Sequence, residues 1–213
     1  MLNIPYTGSD PLTLAICLDK ARTKEILSYH KIPTAKFFVV ENLDEFDGNI
    51  DLEFPLIVKP LHEGSSKGIF NSSVVENNRE LLSEIERVLR TYNEPALVEE
   101  FLPGREFTVA ILGNGKEAKV LPIIEIKFDS LPTEAKPIYS FEAKWIRIHL
   151  KDIQIPIFIN SHIYSRIIPA PSYPVAGQGN FFNLLFKLRL KRSRTYRYRL
   201  HVIFCIWNPL CFK

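Results

Sequence analysis

At Trp145 the sequence changes character, and that boundary limits which part of the chain can build a regular core. Residues 1–145 carry 23 acidic and 16 basic side chains, whereas residues 146–213 set Asp152 alone against 11 Lys and Arg. The formal net charge of +3 therefore hides a −7 segment joined to a +10 tail. Periodicity fails at the same place. HLKDIQIPIFIN is apolar without a clear period, PAPSYPVAGQGN is rich in turn formers, and FFNLLFKLRLKRSRTYRYRLHVIFCIW is basic and aromatic with neither caps nor breakers. No element is assigned there, and a disordered or irregular tail is expected.

Upstream the patterns are regular. Residues 13–29 read as one helix, with Leu14, Ile16, Cys17, Leu18, Ala21, Ile26 and Leu27 on one side and Lys20, Arg22 and Lys24 on a polar face. KFFVVEN and FPLIVKP are short β-branched and aromatic runs, hence strands. Residues 77–92 give a second helix with an apolar stripe at Leu81, Leu82, Ile85, Val88 and Leu89 and a charged far face at Glu80, Glu84, Arg87 and Arg90. ALVEEF is the next strand, and FTVAILG, the NGK turn and AKVLPIIEIKF read as a hairpin. Helix and strand alternate first and hairpins follow, which predicts an α+β fold whose two subdomains meet near Leu102 to Gly104.

The three cysteines, at 17, 205 and 211, form neither a CxxC pair nor a His/Cys cluster, so a disulfide framework or zinc site has no support. The first residues lack a basic start and an apolar core, and no segment approaches the roughly 18 apolar residues of a membrane span. A cytoplasmic chain without membrane partners is expected.

HEGSSKGI, residues 62–69, follows the FPLIVKP strand. A glycine-rich loop after a strand can expose successive backbone N–H groups, and with a nearby lysine these form an anion cradle. Alone, such a loop is more often a plain turn. Lys59 shifts the balance, because a lysine ending an otherwise apolar strand is costly to leave unpaired and a bound anion is a natural partner. In VEEFLPGREF a strand ends on two acids, followed by a Pro-Gly turn and a third. These carboxylates and carbonyls can accept hydrogen bonds from an adenine amino group or from ribose hydroxyls, although composition alone would read a solvated acidic turn.

LNIPYTGSDPLTLAICLDKARTK, FPLIVKPLHEGSSKGI, ALVEEFLPGREFTVAILG and YSFEAKWI, in this order, resemble motifs of the D-alanine-D-alanine ligases and their close relatives within the ATP-grasp fold. The resemblance covers residues 2–146. It implies an ATP-grasp central subdomain with a preceding linker helix over residues 1–103, the start of the C-terminal subdomain over 104–146, and a non-homologous basic tail over 147–213. It further implies ATP as the nucleotide, with Lys20 and Lys59 on its phosphates and the flap residues Glu63, Gly64, Ser65, Ser66 and Gly68 around the phosphate tail. Glu99 would meet the adenine amino group, Leu102 would offer backbone beside it, and Glu106 would hold the ribose hydroxyls. Lys144 would lie against the transferring phosphate, with Ser65 orienting the first amino acid. The family reaction phosphorylates the carboxylate of one D-alanine, and the amine of a second attacks the acyl phosphate, in cell-wall precursor synthesis. A homodimer is also implied.

Three departures accompany the match. Several of these ligases carry Tyr where this chain has Trp145, and an indole donates only through its N–H, so D-alanine, D-lactate and D-serine all stay open as substrates. The family's first domain would precede LNIPYTGSD. The family's Mg²⁺ ligands would lie in the last third, where Asp152 is the sole carboxylate, and a metal site for ATP needs oxygen ligands, mostly carboxylates. A truncated, inactive chain is therefore expected, with a non-catalytic ATP-binding remnant as the alternative. A frame shift just after Trp145 or Ile146 would account for the tail. Codons for WNPLCFK read one nucleotide later permit GIPYVL, and the same shift over residues 198–201 permits Ile-Asp-Phe if Arg199 uses an AGR codon, both close to the family's metal-binding segments. A rival reading takes KRSRTYRYR as a nucleic-acid-binding extension, but neither a nucleic-acid-binding motif nor a supporting fold accompanies it.

Overall fold

The computed structural model describes residues 9–112, 118–129, 131–133, 135–143, 185–191 and 199–205, with backbone alone for residue 112 and the last two segments. Two helices open it, α1 (Pro11–Leu18) and α2 (Lys20–Tyr29). The single helix expected over 13–29 is thus divided, and Asp19 divides it. Its backbone is extended at φ −81° and ψ 104°, and its carboxylate accepts the Arg22 N–H at 2.9 Å, so it caps α2 rather than continuing α1. Asp10 caps α1 in the same way, accepting the Leu12 and Thr13 N–H groups, and the Thr13 hydroxyl beside it holds its carboxyl below the usual range.

The break turns α2 onto the first sheet. That sheet contains β1 (Phe37–Val40), β2 (Leu56–Pro60), β3 (Val74–Val75) and β4 (Ala96–Glu100) in the antiparallel order β1-β4-β2-β3. Helix α3 (Asn78–Tyr92) covers one face. Asn77 caps its start by accepting the Glu80 N–H, and Asn93 ends it in the left-handed region at φ 52°. Its buried Leu81, Ile85 and Val88 meet Val40, Leu56, Val58, Val75, Ala96 and Val98, each large aliphatic contributing about 1.5–3 kcal/mol by leaving water. Two sequence assignments change here. Leu82, placed on the apolar stripe, is exposed, while Glu84, placed on the charged far face, is buried.

Helix α2 covers part of the opposite face, where Ala21 packs with Leu61 and Leu97 and, at their edge, Phe37 and Val39. Lys24, expected on a polar face, is buried there. Beyond Gly104 a second sheet begins with β5 (Glu106–Val109), and β6 (Ile111–Leu112) and β7 (Lys119–Val120) form a separate two-stranded ladder. β8 (Ile124–Ile126), β9 (Leu185–Lys191) and β10 (Arg199–Cys205) complete the second sheet in the order β10-β9-β5-β8. Backbone pairing, β9 with β5 and β10 with β9, thus organises two tail segments in which sequence periodicity identifies no element; Glu106 stands opposite Ile126 on one side and Arg189 on the other. The NGK turn lies outside the described residues.

Candidate functional site

Side-chain alternation divides the first sheet chemically. Leu56 and Val58 of β2 and Ala96 and Val98 of β4 enter the α3 core, so Ile57, Lys59, Leu97 and Glu99 occupy the other face. There Lys59 forms a short, buried ion pair with Glu99. Lys24 reaches the same carboxylate from α2, with Nζ 2.8 Å from Oε2, while donating to the Thr34 hydroxyl at 2.8 Å and the Ala35 carbonyl at 3.1 Å. The Lys24 ammonium also lies 5.2 Å from the centre of the Phe37 ring.

Burial by itself would raise the Glu99 pKa, but the Lys24 and Lys59 ammoniums outweigh it and hold the group at about 2. Burial pushes Lys24 down, and the attraction of Glu99 offsets only part of that. Two cations thus share the Glu99 carboxylate, and Glu100 adds a weaker attraction on Lys24. The partner expected for Lys59 was a bound anion. In the structure Lys59 pairs with Glu99, and that carboxylate is buried rather than part of a solvated acidic turn.

The loop after β2 is built from two tight turns, Lys67 N–H to Gly64 carbonyl at 2.9 Å and Ile69 N–H to Ser66 carbonyl at 3.1 Å. Ser65, Ser66 and Gly68 all have left-handed backbone, at φ 55°, 63° and 77°. For the two serines this costs about 1–2 kcal/mol each, so tertiary contacts must hold it. Lys20 supplies three, donating from Nζ to the carbonyls of Pro60 (2.8 Å), Leu61 (2.9 Å) and Glu63 (2.6 Å). The Ser66 hydroxyl donates to the Tyr139 carbonyl at 2.7 Å, and Arg87 of α3 donates to the Gly68 carbonyl at 2.9 Å. Glu63 pairs with Lys67 at the exposed rim. Backbone turned this way forms the concavities that bind anions.

Gly68 fixes the tightest approach. A Cβ there would lie 2.3 Å from Pro60 Cγ and 2.9 Å from both Pro60 Cδ and Tyr92 Cζ, on a backbone at φ 77°. Gly68→Ala is expected to destabilise the fold by about 1–3 kcal/mol, and to weaken binding at the loop beyond that. Urea unfolding reads the first effect and ligand titration of the folded variant the second; wild-type values for both would refute it.

Residues 139–142 run along this loop. Phe141 N–H donates to the Ile69 carbonyl at 2.7 Å, Asn71 N–H to Glu142 Oε1 at 3.3 Å, and the Phe70 and Phe141 rings lie 5.7 Å apart. Lys144 and Trp145 lie outside the described residues. Leu102 is buried just after β4, and Glu106 is buried at the start of β5 on the second sheet. Among the residues singled out in the sequence, the structure brings Lys59 to Glu99 and Lys20 to the flap; Glu106 stands on a different sheet. Sequence reading missed Lys24, Glu84 and Arg87 as parts of the site. For Lys24 a signal existed, since its spacing of four from Lys20 puts both on one helical face.

A sequence model of the family described as "D-ala D-ala ligase C-terminus" matches residues 26–170. The D-alanine-D-alanine ligase of Bordetella pertussis is 42% identical over 127 residues, 59% of this chain and 39% of that protein. That of Chromohalobacter salexigens is 38% identical over 146 residues, 68% of this chain and 42% of its own length. The chain thus spans about two fifths of these relatives. Among solved structures, the Bacillus anthracis D-alanine-D-alanine ligase superposes with TM-score 0.60 at 25% identity, covering 95% of this chain and 60% of that one. A complex of the Bacillus anthracis ligase with ATP gives TM-score 0.59 at 24% identity, over 95% and 59%. With the family's sequence model spanning most of its length and its fold shared with these ligases, the chain belongs to the D-alanine-D-alanine ligase family and carries an ATP-grasp fold.

Proposed function

We propose that this chain binds ATP on the charged face of its first sheet and against the flap at residues 62–69, as part of a carboxylate-amine ligase acting on D-alanine or a close analogue. The observation that carries the proposal is a left-handed Ser65-Ser66-Gly68 loop held by Lys20, the Tyr139 carbonyl and Arg87, following directly on the strand that carries the buried Lys59–Glu99 pair. Glu99 and the Leu102 backbone receive the adenine edge, and Glu106 takes the ribose hydroxyls. Lys20, Lys59 and the loop backbone at Glu63, Gly64, Ser65, Ser66 and Gly68 face the phosphates. Lys144 follows the segment that lies along the loop and is assigned to the transferring phosphoryl group; Ser65 orients the amino acid. These residues contribute position and positive charge, which is most of what phosphoryl transfer asks of a protein. The product class is a dipeptide-like cell-wall precursor made in the cytoplasm, by a homodimer.

Among the described residues no three His, Cys, Asp or Glu side chains stand close enough to hold a metal ion, and Asp152 is the sole carboxylate after residue 146. The described residues do not themselves fit a Mg²⁺ site, and the chain alone is expected to bind nucleotide without ligating. Calorimetric titration of the full chain with ATP and ADP should give saturable binding and a higher melting temperature, about 2.7 kcal/mol of added stability at a hundredfold excess over Kd. D-alanine-dependent phosphate release should stay at background. Absence of nucleotide binding at millimolar concentration would reject the site, and D-alanine-dependent turnover would reject the inactivity. Sequencing the DNA that encodes residues 146–213 tests the frame-shift account of the tail.

A further inference from the structure

We infer that Lys24 is a positioning residue of the nucleotide site: it is the standing counter-ion of Glu99, and it leaves Lys59 free to exchange that carboxylate for a ligand. The inference rests on the ATP reading above but concerns a residue outside that assignment.

Lys24 and Lys59 hold the two oxygens of one carboxylate, Lys24 on Oε2 and Lys59 on Oε1. Their surroundings differ. The Lys24 ammonium is fixed by three further contacts on its own side, the Thr34 hydroxyl, the Ala35 carbonyl and the face of the Phe37 ring. Thr34 and Ala35 belong to the segment that leads into β1, so Lys24 ties α2, that segment and β4 together. For Lys59, Glu99 is the one partner among the described residues.

A ligand that draws an amino group onto Glu99 and an anion onto Lys59 must pull this pair apart. Without a second cation, a buried carboxylate in that position would take up a proton and become a donor as well as an acceptor. Lys24 prevents this, because it keeps Oε2 charged while Oε1 changes partner. The ammonium sites thus divide their work, one fixed and one exchangeable, and the fixed one never needs to touch the nucleotide.

The test compares wild type, Lys24→Gln and Lys24→Arg in the full chain. Glutamine retains a donor for Thr34 and Ala35 but not the charge; arginine retains the charge. For each, the Glu99 side-chain carboxyl is titrated by carbon NMR and ATP affinity is measured from pH 5 to 8. Lys24→Gln should move the Glu99 titration upward and weaken ATP at least tenfold, more at pH 5 than at pH 8. Lys24→Arg should recover most of both. Should Lys24→Gln not fold, Lys24→Arg compared with wild type still decides, since a charge-independent structural role predicts that it shifts affinity equally at every pH. If wild type binds ATP and Lys24→Gln binds it equally well, or if the Glu99 titration does not move, the role of Lys24 is overturned and the nucleotide site stands. If wild type binds no nucleotide, the site itself fails and the role of Lys24 falls with it.

Discussion

Glu99→Gln should destabilise the fold by about 3–5 kcal/mol, because it removes the anion that pairs with two buried ammoniums. The neutral amide occupies nearly the same volume, so the loss is electrostatic rather than a cavity effect. Urea unfolding at pH 7 measures it. Removing all three charges together, as in Lys24→Met/Lys59→Met/Glu99→Leu, should recover most of that loss, since an apolar replacement of a whole buried ion cluster is often neutral or better. The recovered protein should not bind nucleotide. A marginal effect of the single substitution would mean that water reaches the cluster and screens it.

The same pair sets an acid limit with a definite sign. Glu99 is held at about 2 in the folded chain against an ordinary value of 4.5. Its contribution is therefore complete above the unfolded value and is lost as pH falls from about 4.5 towards 2. Lys24 works at the other end. Burial lowers its pKa below 10.5, so holding it charged costs stability at neutral pH, and that cost is relieved as pH rises through its folded pKa towards 10.5. Wild type should accordingly lose stability between pH 5 and pH 3 more steeply than Glu99→Gln, which lacks the titrating group.

What could be read from the sequence depended on how local the cause was. The strands at 37–40, 56–60 and 96–100 and the helix at 78–92 follow from period and caps, and they lie within a few residues of the expected bounds. The division of the first helix at Asp19 was hidden because Asp is a tolerable helix residue; its capping geometry makes sense only once Lys20 is drawn to the carbonyls at and just past the end of β2, of which that of Pro60 is 40 residues away. Lys24 and Glu84 misled for a related reason. A charged residue on a helix is by default solvated, and only tertiary partners, Glu99 for one and Ser73 with Arg87 for the other, make its burial affordable. Strands β9 and β10 left no periodic signal, and their place is set by pairing, β9 with β5 across a long interval of chain and β10 with β9. The flap and Lys59 were visible as residue types; that Lys59 faces a carboxylate was not.

The network behind the flap carries the second large effect. Arg87 grips buried Glu84 with two donors, Nε to Oε2 at 2.9 Å and NH2 to Oε1 at 2.7 Å, while Ser73 donates to Oε1 at 2.8 Å. The same Arg87 NH2 donates to the Gly68 carbonyl, and its guanidinium lies 4.9 Å from the Phe70 ring centre. One side chain thus joins the α3 face to the flap. Arg87→Met preserves much of the stem but strands a buried carboxylate, and should cost about 3–5 kcal/mol. Arg87→Lys should recover only part of this, because an ammonium cannot reproduce the forked contact. Glu84→Gln/Arg87→Met, which removes both charges, should be more stable than Arg87→Met alone yet still bind ATP weakly, since the Gly68 carbonyl keeps no guanidinium. That separation follows from the geometry: the ion pair stabilises α3, whereas the bond to Gly68 orients the loop. If the double variant regains nucleotide affinity together with stability, the flap is held by its own turns and by Lys20, and Arg87 contributes to folding alone.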